Sequence, residues 1–139
     1  MDIDFDDSVA RGLRRYVWLV GEALGQHGEC SFVHADEPAS AYIAVEGELA
    51  GYPGRDVALL WDERRGWSMA VETHSGEDLL VVAHFGPDLL PAPTAVACWT
   101  SRVFAAGAHG DPGEPPVLDD DVSVRLTAYA ASAFEPTSV

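Results

Sequence analysis

Residues 56 to 86 hold three apolar runs in which the chemistry alternates at every second residue, separated by two short polar turns. This period is typical of β-strands with one buried face, and short turns join strands that are antiparallel neighbours. The sequence therefore predicts a three-stranded antiparallel meander. The third run, residues 79 to 85, is apolar at both sets of alternating positions, which favours a central strand or a strand covered on both faces.

A helix and a hairpin are predicted before the meander. Apolar residues recur at helical spacing over residues 8 to 26, and Asp6, Asp7 or Ser8 can cap the start of that helix. Residues 29 to 47 contain two strand-like runs around a proline-containing turn, so we expect a β-hairpin there.

Two more helices are predicted after the meander. They cover residues 93 to 106 and 119 to 134, with a flexible loop rich in Gly and Pro between them at 107 to 118. We therefore expect one α+β domain over residues 1 to 139. In it, an N-terminal helix and two C-terminal helices pack on a mainly antiparallel sheet of about five strands.

Composition restricts the classes of partner. The chain has 23 acidic and 8 basic residues, a net charge of −15, and it is 47% hydrophobic. Nucleic-acid binding is disfavoured because no basic surface is available to displace counterions from phosphates. Membrane binding is not expected, since no apolar run reaches the ~18 residues of a membrane helix. The acidic start MDIDFDD lacks the order of a signal peptide, so we expect a cytoplasmic protein.

Motifs that carry chemistry do not emerge from the sequence. The five histidines form no H-E-x-x-H pattern, and Cys30 and Cys98 form no C-x-x-C pattern. No glycine-rich phosphate-binding loop is present either. We therefore predict no catalytic residues, no metal site and no cofactor, while an enzymatic role stays open.

Candidate partner-binding residues cluster around two irregular segments. Tyr52 lies on the longest irregular connection before the meander, and loops of this kind often carry function. Trp61 and Trp67 flank the first turn of the meander and can form either a core pair or an exposed aromatic platform. The full candidate set is Tyr52, Arg55, Trp61, Arg64, Arg65 and Trp67.

Three stretches of the chain resemble an uncharacterised family of small actinobacterial proteins, known only as a domain of unknown function. They read AYIAVEG, GYPGRDVALLWDERRGWSMAVETHSGEDLLVVAHFG and DLLPAPTAVACWTSRVF. The resemblance covers about residues 8 to 107, and its most specific parts are R-D-x-A-L-x-W-D-E-x-x-G-W and L-x-P-x-P. It implies a compartment and a domain plan but no catalytic residues. We interpret the W-D-E-x-x-G-W stretch as a hairpin that fixes strand register.

Three functional hypotheses remain open. The first is a non-enzymatic acidic protein-interaction or adaptor module, whose partner is an unknown protein or a second copy bound through a sheet edge or helix face. The second is a ligand-binding protein or small enzyme with a pocket between sheet and helices, lined by Tyr42, Trp61, Trp67 and Trp99. The third is an antitoxin- or inhibitor-like protein whose acidic face binds a basic partner.

Overall fold

The structure is a computed structural model that describes residues 3–25, 31–34, 39–47, 49, 51–73, 78–86, 88–107 and 122–132. Its helices are α1 (Ile3–Ala23), α2 (Pro93–Ala106) and α3 (Ser123–Ser132). Its strands are β1 (Ser31–His34), β2 (Ser40–Val45), β3 (Val57–Asp62), β4 (Gly66–Glu72) and β5 (Leu79–Phe85). The predicted α+β class is confirmed.

The five strands form one antiparallel sheet in the order β1-β2-β3-β4-β5. The predicted hairpin and the predicted meander therefore join into a single sheet, in which Ile43 on β2 lies opposite Leu59 on β3. Trp61 and Trp67 lie directly opposite each other across the β3–β4 turn. Each strand thus pairs with its neighbour in the chain, which needs only short connections.

The helices lie on one face of the sheet, where α1 and α2 contact strands and α3 packs on α1. Leu13 and Tyr16 of α1, Val96 of α2 and Leu126 of α3 belong to the same buried cluster as the alternate strand residues. Those strand residues are Ala41, Ile43, Val57, Leu59, Trp61, Trp67, Met69 and Val71. The hydrophobic core therefore lies between the helices and this face, which we call the helix face.

Helix α1 begins earlier than the sequence predicted. It starts at Ile3, so Asp6, Asp7 and Ser8 lie inside the helix and the predicted cap at these residues is wrong. Asp7 instead pairs with Arg11 one turn later, with 3.1 Å between Oδ2 and Nε. Acidic side chains are stabilised by the helix dipole both at the N-cap and in the first turns. An acidic residue therefore does not by itself show where the helix begins.

Helices α1 and α3 cross at Gly12. A Cβ atom built on Gly12 would overlap the backbone carbonyl of Leu126 in α3. Only glycine allows this approach of two helix backbones. By contrast, a Cβ on Gly21, in the same helix, would have no heavy atom within 4 Å.

Hydrogen bonds also join helix α3 to the segment that leads into α2. The Arg125 guanidinium donates to Asp88 Oδ1 (3.1 Å) and to the Leu90 carbonyl (2.9 Å), while Asp88 Oδ1 also accepts the Leu90 N–H (3.0 Å). Partial burial acts to raise the pKa of Asp88, but the Leu90 N–H and the Arg125 charge outweigh it and hold that pKa below its ordinary value.

Strand β5 lies at an edge of the sheet, so the prediction of a central or doubly covered strand is wrong. A β-bulge explains its apolar pattern: Met69 pairs with Ala83 and Ala70 with Val81, which leaves Val82 as an extra residue. Val82 belongs to the core cluster and Ala83 packs against it. The bulge therefore places two consecutive apolar residues at the core.

No helix within the described ranges is long and apolar enough to cross a membrane. The cytoplasmic location stays a prediction. Residues 108 to 121 lie outside the described parts, as do residues 133 and 134, and with them most of the predicted loop and both ends of the predicted third helix.

Candidate functional site

The β3–β4 turn is fixed by hydrogen bonds to its own backbone and to the start of β2. Asp62 Oδ1 accepts the N–H groups of Arg64 (2.7 Å) and Arg65 (3.2 Å). Glu63 accepts the Ala39 N–H at 2.6 Å and donates its own N–H to the Ala39 carbonyl at 3.1 Å. The two acidic side chains of the W-D-E-x-x-G-W stretch therefore stabilise the turn through hydrogen bonds to backbone N–H groups.

The two tryptophans of this stretch anchor the helix face. Trp61 Nε1 donates to the Leu89 carbonyl at 2.8 Å, and Trp67 Nε1 donates to the Tyr16 hydroxyl at 3.1 Å. That hydroxyl donates in turn to the Pro91 carbonyl at 2.5 Å. Burial raises the pKa of Tyr16, which keeps its proton available for this bond.

These tryptophans are not available as an exposed platform. Trp61 is 1% exposed and Trp67 is 0% exposed. Gly66 between them has φ of +78°, and a Cβ there would come within 3.4 Å of the Asp88 carbonyl oxygen. The W-D-E-x-x-G-W residues therefore join the hairpin to helix α1 and to the segment before α2.

The remaining candidate residues separate into two groups. Arg64 and Arg65 are exposed at the β3–β4 turn. Tyr52 packs partly against the core, and its N–H donates to the Leu49 carbonyl at 2.9 Å. Arg55 donates to the Glu72 carbonyl at 3.5 Å. Since Tyr52 and Arg55 precede β3 and the other two follow it, the structure places the groups at opposite ends of that strand.

Of the four residues named for a pocket between sheet and helices, Tyr42 and Trp61 line one cavity, whereas Trp67 and Trp99 do not line it. Tyr42 pairs with Leu60, so it lies on the opposite face from Trp61. Trp99 of α2 stacks on Phe85 of β5, with ring centroids 5.0 Å apart. Aromatic rings and aliphatic side chains thus fill the helix face.

The structure instead shows a cavity of about 410 Å³ on the other face of the sheet, which we call the helix-free face. Most of its lining residues lie outside the core cluster, and Ala41 and Trp61 are the two core residues that also contribute to it. One residue from each strand forms a line across this face, which we call the cross-sheet row. The row consists of Phe32, Tyr42, Leu60, Ser68 and His84, and all five line the cavity.

Accessibility varies along the helix-free face. Phe32 is 62% exposed and lies against Tyr42, with ring centroids 5.8 Å apart. At the other edge, Leu79 is 40% exposed. Ala58 and Ala70, towards the far end of β3 and β4, are 2% and 0% exposed. The accessible region is therefore the end near the β3–β4 turn, together with the two edges.

The charged groups of the cavity gather at that turn. Ser40, Asp62, Arg65, Ser68 and His84 contribute polar groups to its lining. Partial burial lowers the pKa of His84, and the positive charge of Arg65 lowers it further. His84 is therefore neutral at pH 7, with one ring N–H able to donate and one ring nitrogen able to accept.

Sequence reasoning missed this surface, although its signal is present in the alternation. Tyr42, Leu60 and Ser68 occupy the positions between the core residues of β2, β3 and β4. An apolar residue at such a position is expected to face solvent when a sheet is covered on one side only.

The described residues contain no group of three or more His, Cys, Asp or Glu side chains placed to hold a metal ion.

A protein-family model matches residues 16 to 102, which is more than half of the chain. Its description is a family of unknown function, DUF6292. The chain belongs to this family. The matched part of this DUF6292 protein includes the sheet, α2 up to Arg102 and the part of α1 from Tyr16 onward. The cross-sheet row therefore lies entirely within it. Neither the curated proteins nor the solved structures contain a significant match.

Proposed function

We propose that this DUF6292 protein is a non-enzymatic interaction module whose helix-free face binds an apolar segment of a protein partner. The observation that carries the proposal is the 410 Å³ cavity across the cross-sheet row. The helix face is already filled by the protein's own side chains, whereas the helix-free face retains aromatic and aliphatic groups in contact with solvent. Exposed apolar surface of this kind commonly marks an interaction site.

The extent of the surface favours a protein segment. Cavities of roughly 300–1,000 Å³ suit small ligands, and this one lies in that range. However, Phe32 and Leu79 continue the apolar surface to both edges of the sheet, beyond what an enclosed ligand needs. A partner that lies across several strands covers both edges as well as the cavity.

The proposal is tested with a short apolar peptide of leucine and tryptophan, acetylated and amidated so that it carries no charge. We expect backbone amide shifts in a two-dimensional NMR titration to concentrate on residues of the cross-sheet row. Leu60→Glu places a charge in the cavity and should weaken binding by tenfold or more. Val124→Glu is the matched control, because Val124 is an exposed apolar residue of α3 on the other side of the molecule.

Two results would contradict the proposal. One is a set of amide shifts that maps to the helices, and the other is binding that Leu60→Glu leaves unchanged.

A small apolar ligand in the same cavity is the second candidate, supported by the cavity volume. Native mass spectrometry of the protein as purified distinguishes it, since a bound ligand adds a discrete mass to the 14.9 kDa chain. The homodimer and the inhibitor with an acidic face stay predictions. Light scattering tests the homodimer, because a mass of one chain at high concentration removes it.

A further inference from the structure

We infer that the helix-free face contains an anion subsite at Arg65, and that the partner segment therefore presents a carboxylate beside its apolar side chains. This inference rests on the proposed function and adds the chemistry of the partner to it. The arginine lines the cavity at the β3–β4 turn, beside Asp62 and Gly66 and on the same lining as Ser68 and His84. The aromatic pair Phe32 and Tyr42 lines it as well. The cavity thus offers apolar contacts and a cation to a single bound segment.

The positive charge of Arg65 is not neutralised by an ion pair within the described parts of the chain. Its guanidinium takes part in no ion pair or side-chain hydrogen bond there, whereas Arg11 and Arg125 each pair with an aspartate. A guanidinium has five N–H donors in a planar arrangement that matches the two oxygens of a carboxylate. Arg65 is therefore equipped to bind a carboxylate of a partner.

Two kinds of negative charge oppose an anion at this point. The first is the carboxylates of Asp62 and Glu63 in the described turn, which already accept backbone N–H groups. The second is the net charge of −15, spread over the whole chain. At 0.15 M salt, charges farther than about 8 Å are largely screened, so a guanidinium in direct contact outweighs the distant carboxylates.

His84 complements the subsite. Its side chain lies on the cavity lining, and the Arg65 charge acts on it directly. At pH 7 the neutral imidazole can donate one hydrogen bond to an oxygen anion without adding a second cation that would repel Arg65. Ser68, next to His84 in the cross-sheet row, offers a hydroxyl donor. An anion at this end of the cavity thus has neutral donors in addition to the guanidinium.

The test compares two forms of one probe, the leucine–tryptophan peptide with a free C-terminal carboxylate and with a C-terminal amide. Both are titrated into the full chain at pH 7.5 and 0.15 M salt. A charge-assisted hydrogen bond exceeds a neutral one by enough to predict that the acid binds about tenfold more tightly than the amide. Arg65→Gln should bring that ratio close to one, with the affinity for the amide unchanged.

Arg64→Gln is the matched control. Arg64 is the neighbouring residue, it is exposed, and its backbone N–H bonds to the same Asp62 oxygen, but it does not line the cavity. We expect the preference for the acid to survive Arg64→Gln. Equal binding of acid and amide to the unaltered protein overturns the anion subsite, as does a preference that survives Arg65→Gln. Binding of neither peptide overturns the proposed function itself, so the two failures are distinguishable.

Discussion

The two faces of the sheet make opposite use of the same strands. Leu59 and Leu60 are consecutive residues of β3, yet Leu59 is fully buried under the helices and Leu60 lines a solvent-accessible cavity. On the helix face the indole N–H groups of Trp61 and Trp67 reach acceptors, and the side chains fill the space. One alternating sequence pattern therefore supplies both a filled core and a solvent-accessible apolar surface.

The largest expected effect tests how closely the helix face is packed. Gly12→Ala forces α1 and α3 apart, because the new Cβ meets the Leu126 backbone, which cannot move aside as a flexible side chain can. We expect the free energy of unfolding to fall by at least about 3 kcal/mol. Urea denaturation followed by tryptophan fluorescence measures it.

Gly21→Ala is the matched control in the same helix. No atom lies within 4 Å of the added Cβ, so better helix propensity should stabilise the protein by up to about 1 kcal/mol. If both alanine variants are equally stable, the close crossing of α1 and α3 is incorrect.

The next prediction compares the two faces directly, through Leu59→Ala and Leu60→Ala. Deleting the buried leucine leaves a cavity in the core and should cost about 3 kcal/mol of unfolding free energy. Deleting Leu60 removes contacts on an accessible surface and should cost less than about 1 kcal/mol, while reducing peptide binding. Similar losses of stability for the two variants would contradict the assignment of the faces.

The smallest expected effects concern pH. His84 on the helix-free face has a lowered pKa, so the folded state resists its protonation. Its contribution to the stability of the fold is present above the ordinary pKa of 6.5 and is lost as the pH falls below it. Asp88, in the segment that leads into α2, also has a lowered pKa. Its contribution to the stability of the fold is lost only as the pH falls below the ordinary pKa of 3.8. Thermal unfolding from pH 8 to pH 3 should resolve two separate windows.

The matching variants assign these windows. His84→Asn should flatten the upper window and leave the lower one, and Asp88→Asn should do the reverse. A single window that neither variant changes would show that other carboxylates dominate the response.

The sheet was predictable because its signals are local. Period-two alternation and short turns predicted the β3–β5 meander. Helical spacing, with a proline in the first turn, predicted a helix at residues 93 to 106, which agrees with α2 at Pro93–Ala106. The pattern misled at β5, where an extra residue, Val82, shifts the alternation. A bulge is set by the partner strand as well as by its own sequence, so the sequence of β5 alone does not reveal it.

The candidate site was predicted only in part. Arg65 and Trp61 were named from the sequence and contribute to the cavity lining. The indole N–H groups of Trp61 and Trp67, however, donate to acceptors inside the core. Alternation shows that a strand has two faces but does not show which face the helices cover, because that depends on long-range packing. The same limit hid Leu60, and it led to the prediction that Tyr42 lies between sheet and helices, whereas Tyr42 lies on the helix-free face.

The family match and the fold also differ in extent. The matched region ends at residue 102, yet Leu126 and Tyr129 of α3 pack on α1 and complete the core. Tyr129 meets Tyr16 with ring centroids 5.0 Å apart. A region outside the family match therefore supports the anchor of the hairpin tryptophans.

The crossing at Gly12 also affects the order in which the protein is made. Helix α1 is synthesised before the sheet, and the part of α3 that it packs against follows more than a hundred residues later. At roughly 5–20 residues per second, the apolar side of α1 waits on the order of ten seconds for that partner. During that interval the sheet and α2 are the described elements that can cover α1, so the surface around Gly12 stays without its partner until α3 is made.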